Sequence, residues 1–210
     1  GVKLVLLDGE NVTNSAAITC YEAGSHTVYV EDYAGNSIEY TFTIDTQGPR
    51  IKDLVSGYIY NKDLPIKFVS GCGIKEAKVK FNGYDKSSDT YYLEDNSILT
   101  KEGSYTITLK DALNNAYTYS VQIDKTAPVV TGVLDGSYNK GTVRFTITDN
   151  TKMTNTLNGS TCGSTVTVSN NGKYTIVSKD AAGNTTKVVF TKDDEPPTFS
   201  GMKEGKKYKR

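Results

Sequence analysis

The chain of 210 residues sets 24 Lys and Arg against 24 Asp and Glu, with a mean hydropathy of −0.44, so no charge excess points to nucleic acid or an acidic membrane surface. No apolar run is long enough to span a bilayer, which argues against membrane insertion, and nothing resembles a signal peptide; the chain opens on Gly1 inside an apolar strand pattern, as an internal piece of a longer protein would. Cys20, Cys72 and Cys162 fall at different points of the repeat described below, so three free thiols are expected rather than a repeated bridge.

In chain order, Val5-Leu6-Leu7-Asp8-Gly9 reads as a strand running into a tight turn. His26, Val28 and Val30 alternate with polar residues, and so do Tyr40, Phe42 and Ile44; the turn between them runs from Asp32 to Asn36. After Pro49, Tyr58, Tyr60, Ile66 and Phe68 supply early strands, and Val79 and Phe81 lead to a second turn cue at Asn82-Gly83. Tyr105, Ile107 and Leu109 then pair with Tyr119, Val121 and Ile123 around Asp111–Asn115. The pattern returns after Pro128 with Val143, Phe145 and Ile147, the cue Asn158-Gly159, then Tyr174 and Ile176 and, beyond Asp180–Asn184, Val188 and Phe190.

These segments form a phased repeat. Gly24, Asp32, Asp45 and Pro49 recur as Gly103, Asp111, Asp124 and Pro128, and again as Gly172, Asp180, Asp193 and Pro197. The first Asp recurs after 79 residues (111 minus 32) and then 69 (180 minus 111), the length of a small all-β domain rather than a solenoid unit. The expected organisation is the C-terminal part of a truncated domain over 1–45, complete domains over 46–124 and 125–193, and the start of another over 194–210. Residues 1–45 are expected to be the least stable part.

The pattern Gly-x-Tyr, the turn Asp, Gly-Asn, an aromatic-rich strand and Ile-Asp-x-x-x-Pro resembles the bacterial immunoglobulin-like domain of group 3. Gly103, Tyr105, Asp111, Ile123, Asp124 and Pro128 carry the resemblance in the second repeat, and Gly172, Tyr174, Asp180, Gly183, Asn184, Asp193 and Pro197 in the third. His26 departs from the pattern where Tyr is expected, and Asn114 where Gly is. The resemblance implies tandem immunoglobulin-like β-sandwiches arranged end to end, without a catalytic centre. It further implies a spacer or stalk in an adhesion-related protein at the cell surface or secreted, with neighbouring domains of the parent chain, and a host or matrix protein or glycan, as partners. The links Thr46–Gly48 and Lys125–Ala127 place only three residues before each Pro, so the joints are expected to be short and stiff.

The same topology is expected to bring the Asp111 turn towards Asp45, and the Asp180 turn towards Asp124 with Asp149 joining them. Carboxylates of this kind suit calcium, which takes six to eight oxygens, and the resemblance suggests calcium at such junctions; the competing reading is that each Asp only caps a turn. No other cofactor is required. Tyr91 and Tyr92 are candidates for an exposed aromatic platform, which would make the chain an accessory carbohydrate- or protein-binding module of a secreted hydrolase; as core residues they would not. His26 sits in register with Tyr105 and Tyr174, so a structural role is expected for it. A Lys–Asn isopeptide crosslink needs a buried Lys beside an acid, and no inward position reads plainly as Lys.

Overall fold

Alternation of apolar and polar residues, with turn chemistry at fixed offsets, leaves this chain little choice but extended structure. The structure, a computed structural model, describes residues 1–210 except Ala16, Phe199, Lys203, Tyr208 and Arg210. The described residues contain strands and turns and no helix, so no helix is long and apolar enough to cross a membrane. They form two compact units, one of residues 1–58 and 63–123 and one of 59–62 and 124–210.

The strands, in chain order, are β1 (Val2–Leu7), β2 (Glu10–Asn11), β3 (Gly24–Asp32), β4 (Ser37–Ile44), β5 (Arg50–Ile51), β6 (Ile59–Tyr60), β7 (Leu64–Pro65), β8 (Phe68–Val69), β9 (Ile74–Gly83), β10 (Ser88–Tyr92), β11 (Ile98–Leu99), β12 (Gly103–Asp111) and β13 (Ala116–Ile123). They continue as β14 (Val129–Thr131), β15 (Tyr138–Asn139), β16 (Val143–Thr148), β17 (Met153–Leu157), β18 (Ser160–Cys162), β19 (Thr165–Val168), β20 (Gly172–Asp180) and β21 (Thr185–Lys192).

In the first unit, β2-β1-β3-β4 form one antiparallel sheet in which His26, Val28 and Val30 face Phe42, Tyr40 and Ile38 across the ladder. β4 is exposed along most of its length. The rest of the unit is a sandwich. One layer runs β10-β9-β12-β13, and the other is made of the pairs β5-β8 and β11-β7. Val79, Phe81, Tyr105, Ile107, Leu109, Val121 and Ile66 are buried, with the Phe81 and Tyr105 rings 4.8 Å apart.

In the second unit β14-β16-β19 form one sheet and β15-β21-β20-β17-β18 the other, with β15 parallel to β21 and the remaining pairs antiparallel. Val133, Val143, Phe145, Ile147, Val168, Ile176 and Phe190 fill the space between the layers. Burial of each large side chain of this kind contributes about 1.5–3 kcal/mol. This strand order, early strands and one middle strand in one layer and the final hairpin with its neighbours in the other, is that of an immunoglobulin-like sandwich. The fold is all-β and immunoglobulin-like.

Two sequence expectations need correction. The cue Asn82-Gly83 is not a turn: β9 runs through both residues, and the chain reverses over Tyr84–Ser87, where Lys86 takes φ 67° and the Asp85 carboxylate accepts the Ser87 amide at 2.9 Å. Pairing with β12 extends to Gly83 opposite Gly103, so ladder bonds outweigh the local preference of the dipeptide. An inward lysine also exists. Lys192 is 2% exposed on β21 because its Nζ reaches Asn171 Oδ1 at 2.9 Å and the Asp194 carboxylate. The neighbouring acid is not buried, since the Asp194 side chain is 43% exposed, so the arrangement is an ion pair at the sheet margin.

Candidate metal centre

Each final hairpin turns on an Asp that closes its own loop. In β3–β4 the Asp32 carboxylate accepts the amides of Ala34 and Asn36 and the Asn36 side-chain amide, at 2.8, 2.9 and 3.0 Å. Asp111 does the same for Leu113, Asn115 and the Asn115 side chain, and Asp180 for Gly183, Asn184 and the Asn184 side chain. Turn capping therefore accounts for these three carboxylates. It does not account for what faces two of them.

In the second unit one carboxylate oxygen from each of Asp124, Asp149 and Asp180 lies within 4.8 Å of the others. Asp180 ends β20 and Asp149 follows β16 directly, so the sandwich brings the two together. Asp124 is fully buried; its amide donates to the Tyr60 carbonyl, and its Oδ1 accepts the Thr126 amide at 3.3 Å. Its Oδ2 is buried with no hydrogen-bond partner. A buried carboxylate oxygen without a donor costs free energy, and two further carboxylates nearby raise that cost. Burial accordingly pushes the Asp124 carboxyl above its ordinary range, helped by the charges of Asp149 and Asp180 and opposed by hydrogen bonds from Thr151 and Thr126. Asn184 adds a polar wall, its amide donating to the Asp124 carbonyl at 2.8 Å as well as to Asp180.

The first unit repeats the arrangement with one change. Asp45 and Asp111 come together as the sequence leads one to expect, but the third group is the Cys72 thiol, with donor atoms again within 4.8 Å of one another. Asp45 Oδ1 accepts the Gln47 amide at 2.9 Å, and its Oδ2 is again buried without a partner. Gly71 lies so close that a Cβ there would sit 2.8 Å from Asp45 Oδ2. Cys72 carries no motif in the sequence that would mark it as a ligand beside two acids. The register of Ile74 opposite Asp111, matching Met153 opposite Asp180, is what places the preceding loop beside the turn.

No protein-family profile matches the chain, and no curated protein matches it. Among solved structures it is similar to SGBP-B of the Bacteroides ovatus mixed-linkage glucan utilization locus, in complex with a mixed-linkage heptasaccharide, at 18% identity over 97% of this chain and 66% of that one, with a TM-score of 0.23. It is also similar to the fibronectin(III)-like modules of Clostridium thermocellum CbhA, at 18% identity, 70% and 94% coverage and a TM-score of 0.25. A third likeness is to latent PorU of Porphyromonas gingivalis, at 13% identity, covering 86% of this chain and 25% of that one, with a TM-score of 0.25. These are likenesses of fold.

The remaining candidates separate. Tyr91 and Tyr92 follow one another on β10 and so point to opposite faces; Tyr91 is partly buried and Tyr92 is 66% exposed. They do not form one aromatic plane, which corrects the platform reading. Tyr92 instead borders a cleft of about 770 Å³ with Phe68, Glu76 and Asp95. His26 is 7% exposed and its Nε2 bonds the Glu22 carbonyl at 2.8 Å. The Tyr105 and Tyr174 hydroxyls make the same bond four residues back, to the carbonyls of Lys101 and Asn170, so His26 fills the tyrosine's place in the sheet.

Proposed function

We propose that the chain is a non-catalytic spacer segment of a bacterial cell-surface or secreted multidomain protein, adhesion-related, whose immunoglobulin-like modules are stiffened by calcium. On this reading residues 1–45, 46–124 and 125–193 are successive modules, and their partners are neighbouring modules of the same parent chain. The observation that carries the proposal is the unpartnered, buried Asp124 Oδ2 beside Asp149 and Asp180.

A hard cation fits that donor set. Calcium supplies the positive charge that three converging carboxylates lack, and it prefers carboxylate and carbonyl oxygens over nitrogen or sulfur. Asp124, Asp149 and Asp180 would hold it. Asp180 would go on capping its turn through Oδ1, as it does now. Because Asp124 follows directly on β13, a cation there fixes the backbone where the chain leaves that strand. The three-residue link and Pro128 leave little slack beyond it. Length with stiffness is the useful product of such a module, and it requires no catalytic group.

Calorimetric titration of the full chain with calcium, paired with thermal unfolding, tests this. A ligand at a hundred times its dissociation constant adds about 2.7 kcal/mol of stability. Asp124→Asn should abolish both the heat and the thermal response, while raising the stability of the calcium-free protein because a buried negative charge facing two further carboxylates is gone. An unfolding curve indifferent to calcium in the parent chain would rule out the stiffening role. The accessory-module alternative gains nothing from the paired tyrosines, which face apart.

A further inference from the structure

The first repeat differs from its neighbours at three positions that are far apart in sequence and meet in space. His26 stands where Tyr105 and Tyr174 stand; Cys20, four residues before Gly24, stands where Leu99 and Val168 fill the other two cores; and Asp8 of the Asp8-Gly9 turn stands where the third repeat has Asn158. One donor atom from each of Asp8, Cys20 and His26 lies within 4.8 Å of the others. His26 Nδ1 is 2.7 Å from Asp8 Oδ2 and 3.4 Å from Cys20 Sγ.

Each substitution keeps the structural task of the residue it replaces and frees one atom. Asp8 Oδ1 accepts the Thr27 amide at 2.7 Å, as Asn158 Oδ1 accepts that of Thr175 at 2.8 Å; the acid then turns Oδ2, rather than an amide nitrogen, towards His26. His26 Nε2 must carry hydrogen, because its partner is the Glu22 carbonyl, which only accepts. That leaves Nδ1 to bind a metal, with the carbonyl acting as the outer partner that fixes the ring's orientation and tautomer. Cys20 contributes a thiol where its counterparts contribute only bulk. The three line a pocket of about 510 Å³, and Glu10 lies on its wall.

We infer that Asp8, Cys20 and His26 form a binding site for a zinc-like divalent metal ion, distinct from the carboxylate cluster around Asp124. One imidazole nitrogen, one thiolate and one carboxylate are a donor set for zinc and not for calcium. At usual zinc bond lengths the tetrahedral edges come to about 3.3–3.7 Å, so the observed Nδ1 to Sγ separation lies close to its edge and Asp8 Oδ2 need draw back from Nδ1 by less than about 1 Å. The fourth corner faces the pocket, open to Glu10 or water. Binding releases the proton on His26 Nδ1 and the thiol proton of Cys20 to solvent, while the Asp8 carboxylate and the Nε2 hydrogen stay in place.

The test uses the whole chain, reduced, with Cys72→Ser and Cys162→Ser, so that Cys20 is its sole thiol. Cobalt(II) is the probe. One equivalent should give the near-ultraviolet thiolate-to-cobalt charge-transfer band with intense tetrahedral visible absorption, and zinc should bleach both. His26→Tyr installs the residue of the other two repeats and should remove the band with the far-ultraviolet circular dichroism unchanged. Asp8→Asn, the residue of the third repeat, should weaken cobalt binding about tenfold or more and decides the matter if His26→Tyr does not fold. Asp124→Asn should leave the cobalt spectrum untouched, which keeps this outcome apart from that of the calcium proposal. No band in the parent chain, or a band that survives His26→Tyr or is equally tight in Asp8→Asn, overturns the assignment.

Discussion

Lys192 shows how one residue can hold a position that its repeat partners fill differently. The counterparts immediately before Asp45 and Asp124 are Ile44, which is half-buried, and Ile123, which is buried, and Lys192 lays its four-carbon stem in the same place. Its ammonium then needs partners, and Asn171 and Asp194 provide them. Lys192, and after it the amide of Gly141, hold the Asp194 carboxyl below its ordinary range. A carboxylate with a depressed folded value contributes stability that is present above the unfolded value of 3.8 and lost as pH falls through the lower folded value. Lys192→Ile removes that contribution and with it the cost of burying an ammonium, and because an apolar isostere needs no desolvated ion, stability at pH 7 should stay close to that of the unsubstituted chain or rise. The same variant should shrink the acid-dependent loss, read from urea midpoints at pH 7 and pH 3. A loss of several kcal/mol at pH 7 would instead mean that the ion pair is essential to the fold.

At the scale of elements, the Gly that opens each long strand, Gly24, Gly103 and Gly172, has a φ near 150°, a region L-residues rarely adopt, with values of 145°, 145° and 153°. The three sites are not equally crowded. A Cβ on Gly103 would come within 2.3 Å of the Asn82 carbonyl, because β9 stays paired with its partner strand up to Gly103 itself, whereas β1 and β17 stop at Val28 and Ile176, four residues short of Gly24 and Gly172; a Cβ on Gly24 meets nothing within 4 Å. Gly103→Ala should cost about 3 kcal/mol or more, and Gly24→Ala only the backbone strain of about 1–3 kcal/mol, measured by chemical denaturation. Equal costs would mean that crowding by β9 is relieved elsewhere. The same lengthening explains why Asn82-Gly83 misleads: its turn signal is local, whereas the Gly103 to Gly83 pairing depends on a strand twenty residues away. Alternation around Tyr105, Ile107 and Leu109 is by contrast a local signal with a global meaning, and it locates those strands directly. Asp45, Asp111, Asp124, Asp149 and Asp180 are legible as candidates through the resemblance to immunoglobulin-like domains, whose topology turns the final hairpins towards the links. Cys72 and the Asp8, Cys20 and His26 trio were not, since a thiol's neighbours depend on loop paths that periodicity does not describe.

For the molecule as a whole, two units that share a repeat need not share a ligand. The second unit offers Asp124, Asp149 and Asp180, all oxygen donors, while the first offers Asp45, Asp111 and the Cys72 thiol. Calcium binds carboxylates and disfavours sulfur, so replacing one carboxylate by a thiol removes both charge and hard-donor character from an otherwise equivalent cluster. Calcium should therefore slow hydrogen exchange at the Asn184 amide of the Asp180 turn and leave the Asn115 amide of the Asp111 turn unchanged. Cys72→Asp should convert the first cluster to three carboxylates, and exchange at Asn115 should then slow as calcium is added. The orphaned Asp45 Oδ2 supplies the reason to expect a gain rather than mere repulsion, since its buried oxygen already lacks a donor that a cation would replace. If Asn115 remains indifferent to calcium in Cys72→Asp while Asn184 responds, the third donor does not decide calcium binding, and the difference between the clusters lies in the shape of the loops around them.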